Sequence, residues 1–438
     1  MLNLILFFKE EYVKSRNFIL ASIILFLLLL NVTGCKKEKL AGEGKTITIL
    51  SAIAQEEEVA KLEACFEAFT EKTGIKIEHE GTKEFENLIF VRTEAGNPPD
   101  IAMFPQPGSV ITLARKGKLI KMNDKTVKNI KKNYSQGWID LMTVDGTIYG
   151  VVHRVNIKSV VWYPKKAWKK AGWKTPKTWG DLEALCKEMV SKGETPWAVG
   201  IESGGATGWA ATDWIEDIML RTGGPEVYDQ WVNHEIPFND PVVKKAVEIM
   251  GKMWLTDGYA YGGKVNIPTT NFGDSPKVMF ENPPKAWMHR QGNFITNFFP
   301  EEIQANLDEE VGVFAFPPID PEWGTPVLGG GDVFVAFNDS PEIHQFMYYL
   351  STSEAGEAWM KMGGSLFAYK DQNLNLYPSE INKELAKILI NAKVFRFDGS
   401  DLMPSEVGAG SFWKEMVNYV TGKDVDKVLT DIEKSWPK

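Results

Sequence analysis

Few short motifs in this 438-residue chain combine the residue types and spacings that catalysis or metal binding demands. The stretch from Gly258 to Lys264 has the spacing of a phosphate loop, but Val265 stands where a Ser or Thr must hold magnesium. It also follows a helical pattern, not a strand, and reads as a turn. Asp371, Asn373 and Asn375 begin like a calcium loop, yet Leu376 occupies the turning glycine and Asn382 the bidentate Glu. The histidines at 79, 153, 234, 289 and 344 fall nowhere at zinc-ligand spacing, and no G-x-S-x-G elbow is present. Carboxylate pairs of the kind that hydrolyse glycosides stay open, because the fold places them and leaves no local spacing. The compositional outlier is 15 tryptophans. They imply either a large aromatic core or a site for flat, partly apolar ligands.

The remaining candidate for chemistry is the thiol of Cys35. Lys14 and Arg16 precede an apolar run from Phe18 to Leu30, closed by Val32, Thr33, Gly34 and Cys35. Thirteen helical residues span about 20 Å, short of the roughly 30 Å hydrocarbon core, so the run reads as a signal-peptide core. Small residues ahead of a cysteine resemble a lipobox, whose thiol is diacylated and whose chain is cut before that cysteine. Residues 1–34 are then a lipoprotein signal peptide, and 35–45, charged and Gly-containing, a tether.

Removing the leader leaves about 400 residues, too many for one compact core and about right for two lobes. Hydrophobic content of 44% with 24% charged residues describes an ordinary globular protein. A net charge of −9 argues against nucleic acid and anionic membrane as partners. Cys65 and Cys186 are too few for a disulfide framework, and both are expected buried and reduced.

The elements that must position any site follow an α/β rhythm. Thr46–Leu50 alternates as a strand, and Val59, Leu62, Phe66 and Phe69 mark one face of a helix ended by Gly74. Glu56, Glu57 and Glu58 read as its solvated first turn. A strand from Ile75, a helix over 85–95 and a strand over 100–104 continue the pattern, which requires parallel pairing. An extended segment from Tyr149 to Tyr163 crosses between lobes. Helices are predicted near 178–192, 213–221 and 241–254, strands at 311–316 and 333–337, one amphipathic helix over 341–361, and a helical tail from Ser411.

From Gly96 to Gly108 (GNPPDIAMFPQPG) the chain resembles the family 1 extracellular solute-binding proteins of ABC sugar importers, especially the alpha-glucoside-binding branch. Further matches are RVNIKSVVWYP from Arg154, PKTW from Pro176, ATDWIE from Ala211, WMHRQGNF from Trp287, GGGDV from Gly329 and FDGSDLMP from Phe397, in the family's order. The resemblance implies an α/β fold of two lobes joined by crossing strands, with ligand in the cleft between them. Mapped onto this chain, the first lobe is 45–152 plus 320–364 and the second 153–319 plus 365–438. It also implies a lipid-anchored, monomeric receptor, not an enzyme, that needs no cofactor or metal and hands an oligosaccharide to a membrane permease.

A pyranose offers an apolar C–H face for aromatic rings and a rim of hydroxyls for charged and amide groups. Under the resemblance, Trp287 is the first choice for stacking, then Trp413, Phe104 and Trp214. Each has a packing alternative, strongest for Trp214, which opens an amphipathic helix. Gln106 shares the loop of Phe104, at the carboxyl end of a strand where open α/β sheets bind ligands. His153, Arg154 and Lys158 lie on the crossing segment, where the two cations serve either the ligand or ion pairs across a hinge. Asp332 follows three glycines that permit close backbone approach. Gln291 and Asp401 are carried by motif match, while His289 reads as structural. The competing readings are a surface-tethered glycoside hydrolase with the same aromatic cleft, and the same receptor fold with a polyol or glycerol-phosphate cargo.

Overall fold

The computed structural model describes residues 42–437, so the leader, Cys35 and all but the end of the tether lie outside the described residues. The first strand, β1 (Thr46–Ser51), leads into α1 (Glu56–Thr73), whose Leu62, Phe66 and Phe69 are buried. Gly74 ends it in the left-handed conformation (φ 76°), its N–H donating to Thr70 O, as only a residue without Cβ does at low cost. There follow β2 (Lys76–Gly81), α2 (Phe85–Glu94), β3 (Ile101–Phe104) and α3 (Pro107–Arg115). β1 pairs in parallel with both β2 and β3, as the strand–helix rhythm requires.

β4 (Gly150–Ile157) and β5 (Val160–Pro164) form the crossing segment. Beyond them come α4 (Trp179–Ser191), α5 (Trp209–Thr222), α6 (Pro241–Leu255), β6 (His289–Arg290), β7 (Val311–Ala315) and β8 (Val327–Ala336). Thr178 caps α4 with a reciprocal bond to Asp181, which fixes its start. The amphipathic stretch over 341–361 is not one helix. It breaks into α7 (Pro341–Leu350) and α8 (Glu354–Met362) at Ser351, whose buried hydroxyl accepts from Asn129 Nδ2 and donates back to Tyr348 O. That back-bonding competes with helix continuation. The chain closes with β9 (Leu366–Phe367), α9 (Glu380–Asn391), β10 (Phe395–Phe397), α10 (Gly399–Leu402) and α11 (Trp413–Val420), before a last helix over Val425–Lys434.

Seven of these strands make one mixed sheet ordered β9-β4-β8-β3-β1-β2, with β10 beside β8, and β5 is the centre of a second sheet, β6-β5-β7. Each sheet anchors a hydrophobic core. The first gathers β1, β3 and β8 with Phe66, Phe346 and Trp359. The second gathers α5 and α6 with Trp197, Trp214, Trp231 and Trp254. Phe294, Phe298 and Leu307, and also Phe367, Tyr377 and Phe397, pack in the first core, although the sequence assigns them to the second lobe. Strand pairing explains part of this: Leu366 and Phe367 pair with Val155 and Arg154, and β10 pairs with β8. Cys65 and Cys186 are buried free thiols, and burial pushes both pKa values up to about 12. No described helix is long and apolar enough to cross a membrane.

Candidate functional site

The crossing strand supplies the cations. Past its bulge, alternate residues of β4 face one way, so Arg154, Asn156 and Lys158 line one cavity while Val155 and Ile157 enter the first core. The bulge itself sets two residues of β4, His153 and Arg154, against the single Asp332 of β8. It turns Arg154 toward the cavity and His153 away.

The cavity holds about 160 Å³. Gly330 and Gly331 of β8 give it a bare floor, and a Cβ on Gly330 would lie 3.0 Å from Lys158 Cε. Its walls carry four aromatic rings. Trp209 meets Phe272 edge-on with centroids 5.1 Å apart and leans on Phe294 at 5.9 Å. Trp413 completes the set and donates its indole N–H to Ser400 Oγ at 3.3 Å.

Both cations are already neutralised by the protein. Arg154 Nε donates to Asp332 at 2.6 Å and its Nη1 to Glu58 at 2.7 Å. Burial opposes the Arg154 charge, but Asp332 and Glu58 outweigh it and hold the guanidinium charged. Lys158 Nζ donates to Asp213 at 2.9 Å and Asp398 at 2.5 Å. Glu58 is therefore no solvated helix start: it is buried, and its charge faces Arg154.

Behind Lys158, α5 presents Asp213, Glu216 and Asp217 on one face, with spacings of three and four. Asp217 accepts from Ser159 Oγ and Arg290 and pairs with Arg221, and Glu216 accepts from the N–H groups of Gly399 and Ser400. Oxygens of Asp213, Glu216 and Asp398 lie within 4.8 Å of one another, a metal-like grouping, but the Lys158 ammonium already supplies its cation. Burial pushes the pKa values of Asp213, Glu216 and Asp401 well above the usual carboxylate range. Burial opposes the Asp398 charge too, yet Lys158 pulls that group below the range.

Some acceptors facing the cavity are unspent. Asn156 Oδ1 is buried without a hydrogen-bond partner among the described residues. Glu86 accepts from Gln106 Nε2 at 3.2 Å and from its own backbone N–H, which leaves lone pairs of the carboxylate open, and loss of water around it pushes its pKa up. Asp401 is 7% exposed, and no side-chain or backbone donor reaches its carboxylate among the described residues. Acceptors without donors, beside aromatic faces, suit a ligand that carries hydroxyls on an apolar ring.

The cavity thus brings together Gln106, Arg154, Lys158, Asp332, Asp401 and Trp413 of the residues expected from sequence. Five others lie outside this cavity. Phe104 is fully buried in the first core, edge-on to Phe85 at 5.0 Å. His153 packs between Phe334 and Phe367 with Nε2 3.1 Å from Ala355 O. Trp214 is sealed by Trp197, Trp254 and Phe316. Trp287 sits against Trp168 and Trp173 with its N–H on Glu194. Gln291 is spent on the backbone, accepting from Gly292 N–H. Residues that sequence reasoning passed over include Trp209, Phe272, Phe294, Asn156, Glu58, Glu86 and Asp398. Asn156, Phe294 and Asp398 stand inside matched motifs, and Trp209 announces itself only by following Gly208, a glycine held at φ 114°.

The chain is 44% identical over 417 residues to the osmoprotective compounds-binding protein GgtB of Synechocystis, covering 94% of this chain and 98% of that one. It is 40% identical over 403 residues to the alpha-glucosides-binding periplasmic protein AglE of Rhizobium meliloti, covering 90% and 87%. Among solved structures, the bacterial solute receptor AcbH superposes with a TM-score of 0.78 at 20% identity, over 89% of this chain and 98% of that one, and so shares its fold. Residues 64–374 match the model of the bacterial extracellular solute-binding proteins, and with these relatives at such coverage the chain belongs to that family.

Proposed function

We propose that the protein is the lipid-anchored receptor of an ABC importer and that it captures a neutral carbohydrate, an alpha-glucoside or a small glycoside, in the cavity above. The observation that carries this reading is the combination of four aromatic rings with unspent acceptors at Asn156, Glu86 and Asp401. Rings cover the C–H face of a sugar, and the acceptors take its hydroxyl protons. The names of GgtB and AglE, which speak of osmoprotective compounds and alpha-glucosides, support the same class.

A phosphate ester is the weaker cargo. Arg154 and Lys158 each already face two carboxylates, so an anion would have to displace Asp332, Glu58, Asp213 or Asp398. Ligand binding closes the two lobes and excludes water, which strengthens each hydrogen bond to the sugar. The closed form then docks on the permease. The lipid on Cys35 keeps the receptor at the membrane, and the cargo leaves unaltered.

Incubating the protein with maltose or trehalose, at concentrations about 100-fold above the dissociation constant, raises stability by about 2.7 kcal/mol for a receptor. Chromatography of the same mixture shows intact sugar. Released glucose makes the protein a hydrolase, and silence towards every neutral saccharide removes the carbohydrate reading. Exchanging Cys35 for Ala releases the protein from membranes if the anchor is real.

A further inference from the structure

A net charge of −9 argues against an anionic partner only where it is evenly spread, and here it is not. Between Lys121 and Lys132 five lysines stand against one acid, Asp124. The helix over Asp124–Asn133 buries Thr126, Ile130 and Asn133. Its exposed face carries Lys125, Lys128, Lys131 and Lys132 at spacings of three and four. Lys121, just ahead of the capping Asn123, is exposed as well. None of the five forms an ion pair or a hydrogen bond among the described residues, and Lys125 rests over the Tyr348 ring at 3.9 Å.

Helix electrostatics account for only part of this face. Lys131 and Lys132 end the helix, where its dipole favours cations. Lys125 stands in the first turn, where the dipole disfavours one, and Lys128 in the middle gains nothing from it. The acids of the adjoining α7 and α8 are engaged elsewhere. Glu342 pairs with Lys45 at 3.1 Å, Glu354 with Lys72, and Glu357 with Lys361 at 3.5 Å. Unpaired like charges on one face repel one another, so an anionic surface that meets them all gains from each.

The position of the face selects the partner. The lysine helix packs on the end of α7, where Asn129 Nδ2 donates to Ser351 O at 2.8 Å. At the other end of α7, Glu342 holds Lys45, the last residue of the tether. Tyr348, which holds Lys125, follows Glu342 by six residues, a rise of about 9 Å. The tether thus joins the body beside the lysine face. From Cys35 to Lys45 ten residue steps span at most about 35 Å, so a lipid on Cys35 keeps this face within reach of the headgroups.

We infer that the face of Lys121, Lys125, Lys128, Lys131 and Lys132 docks on anionic phospholipid headgroups and so orients the receptor on its membrane. This rests on the lipid anchor proposed above, which supplies the proximity. The lysines orient an anchored protein and do not replace the anchor.

The test reconstitutes the acylated protein in vesicles of phosphatidylcholine alone, or of equal parts phosphatidylcholine and phosphatidylglycerol. Lysines are acetylated with a water-soluble reagent and read by mass spectrometry. On the anionic vesicles Lys125, Lys128, Lys131 and Lys132 are expected to react about tenfold or more slowly than on the neutral ones. Lys187, exposed on α4, keeps its rate. Salt at about 1 M, where screening acts within about 3 Å, restores the slowed rates. Each lysine near an anionic surface is worth about fivefold in association, so Lys128→Gln with Lys132→Gln removes about 25-fold. In that variant Lys125 and Lys131 return to their rates on neutral vesicles. Equal rates on both vesicles, protection that survives salt, or protection that extends equally to Lys187 overturns the proposal. Protection in native membranes but not on anionic vesicles also overturns it, and makes the face a protein contact. A chain that does not stay on neutral vesicles refutes the anchor alone, and its low-salt flotation with anionic vesicles then decides the lysine face.

Discussion

Gly108 of α3 packs so closely on Met403 that a Cβ at Gly108 would lie 2.2 Å from the Met403 carbonyl oxygen. Residues on either side of this contact belong to different cores: Val110 and Leu113 to the first, Met403 to the second. Gly108 is helical, so alanine there costs the backbone nothing and acts only as a wedge. Gly108→Ala is expected to hold the cores apart, weakening ligand binding by about tenfold or more, an energy of roughly 1.4 kcal/mol. Small-angle scattering with ligand present checks it. Wild-type compaction in the variant would show that the contact is not part of closure.

Trp209 and Trp287 separate binding from packing. Trp209→Ala removes a half-buried ring from the cavity wall and is expected to cut ligand affinity by about 10- to 100-fold, the worth of one aromatic contact. Trp287→Ala empties a site between Trp168 and Trp173 and is expected to lower stability by about 3–5 kcal/mol, with ligand affinity unchanged in the folded fraction. Titration calorimetry beside urea melts distinguishes them, and the reverse pattern would exchange their roles.

Lys158 is the cation on which the buried acids depend. Lys158→Met leaves Asp213 and Asp398 without their ammonium, which is expected to cost about 3–5 kcal/mol. Thermal melts read the loss. A variant as stable as the parent would mean that these carboxylates are protonated in the native protein.

Stability is expected to fall in mild acid. Burial lowers the pKa values of His153 and His289 to about 4, against about 6.5 in an unfolded chain. The unfolded chain takes up protons between these values that the native protein refuses. Their contribution is whole above pH 6.5 and shrinks as pH falls toward 4, by about 3 kcal/mol for each histidine. Asp213, Glu216 and Asp401 act in the opposite sense: with raised native pKa values, they favour the fold at low pH and lose that contribution as pH rises. Urea midpoints from pH 4 to 8 follow both limbs. His289→Gln flattens the acid limb, and an unaltered limb in both His289→Gln and His153→Gln refutes the assignment.

Strands and helices were readable where one face is buried, as in α1, where Leu62, Phe66 and Phe69 recur at helical spacing. The site was readable where parity speaks. Arg154 and Lys158 share parity with Asn156, and the same rule separates them from His153. Phe104 and Gln106 were paired by proximity, but the last strand residue enters the core and the loop residue two places on reaches the cavity. Parity gives no help on α5, buried from Ala210 to Arg221 on every side. Only its amino end meets the cavity, which is why Trp209 was missed and Trp214 chosen. Trp287 misled because an indole on a matched motif looks alike whether a sugar or two other indoles cover it.

The glycine floor of the cavity separates size from recognition. Depth there is set by Gly330 and Gly331, while in the proposed function the hydroxyls are taken by Asn156, Glu86 and Asp401 on the walls. A methyl at Gly330 presses only on the flexible Lys158 stem, so successive small substitutions at this one position give a ruler for cargo length. A sensor tuned to shorter molecules can be built from it with the polar chemistry left alone.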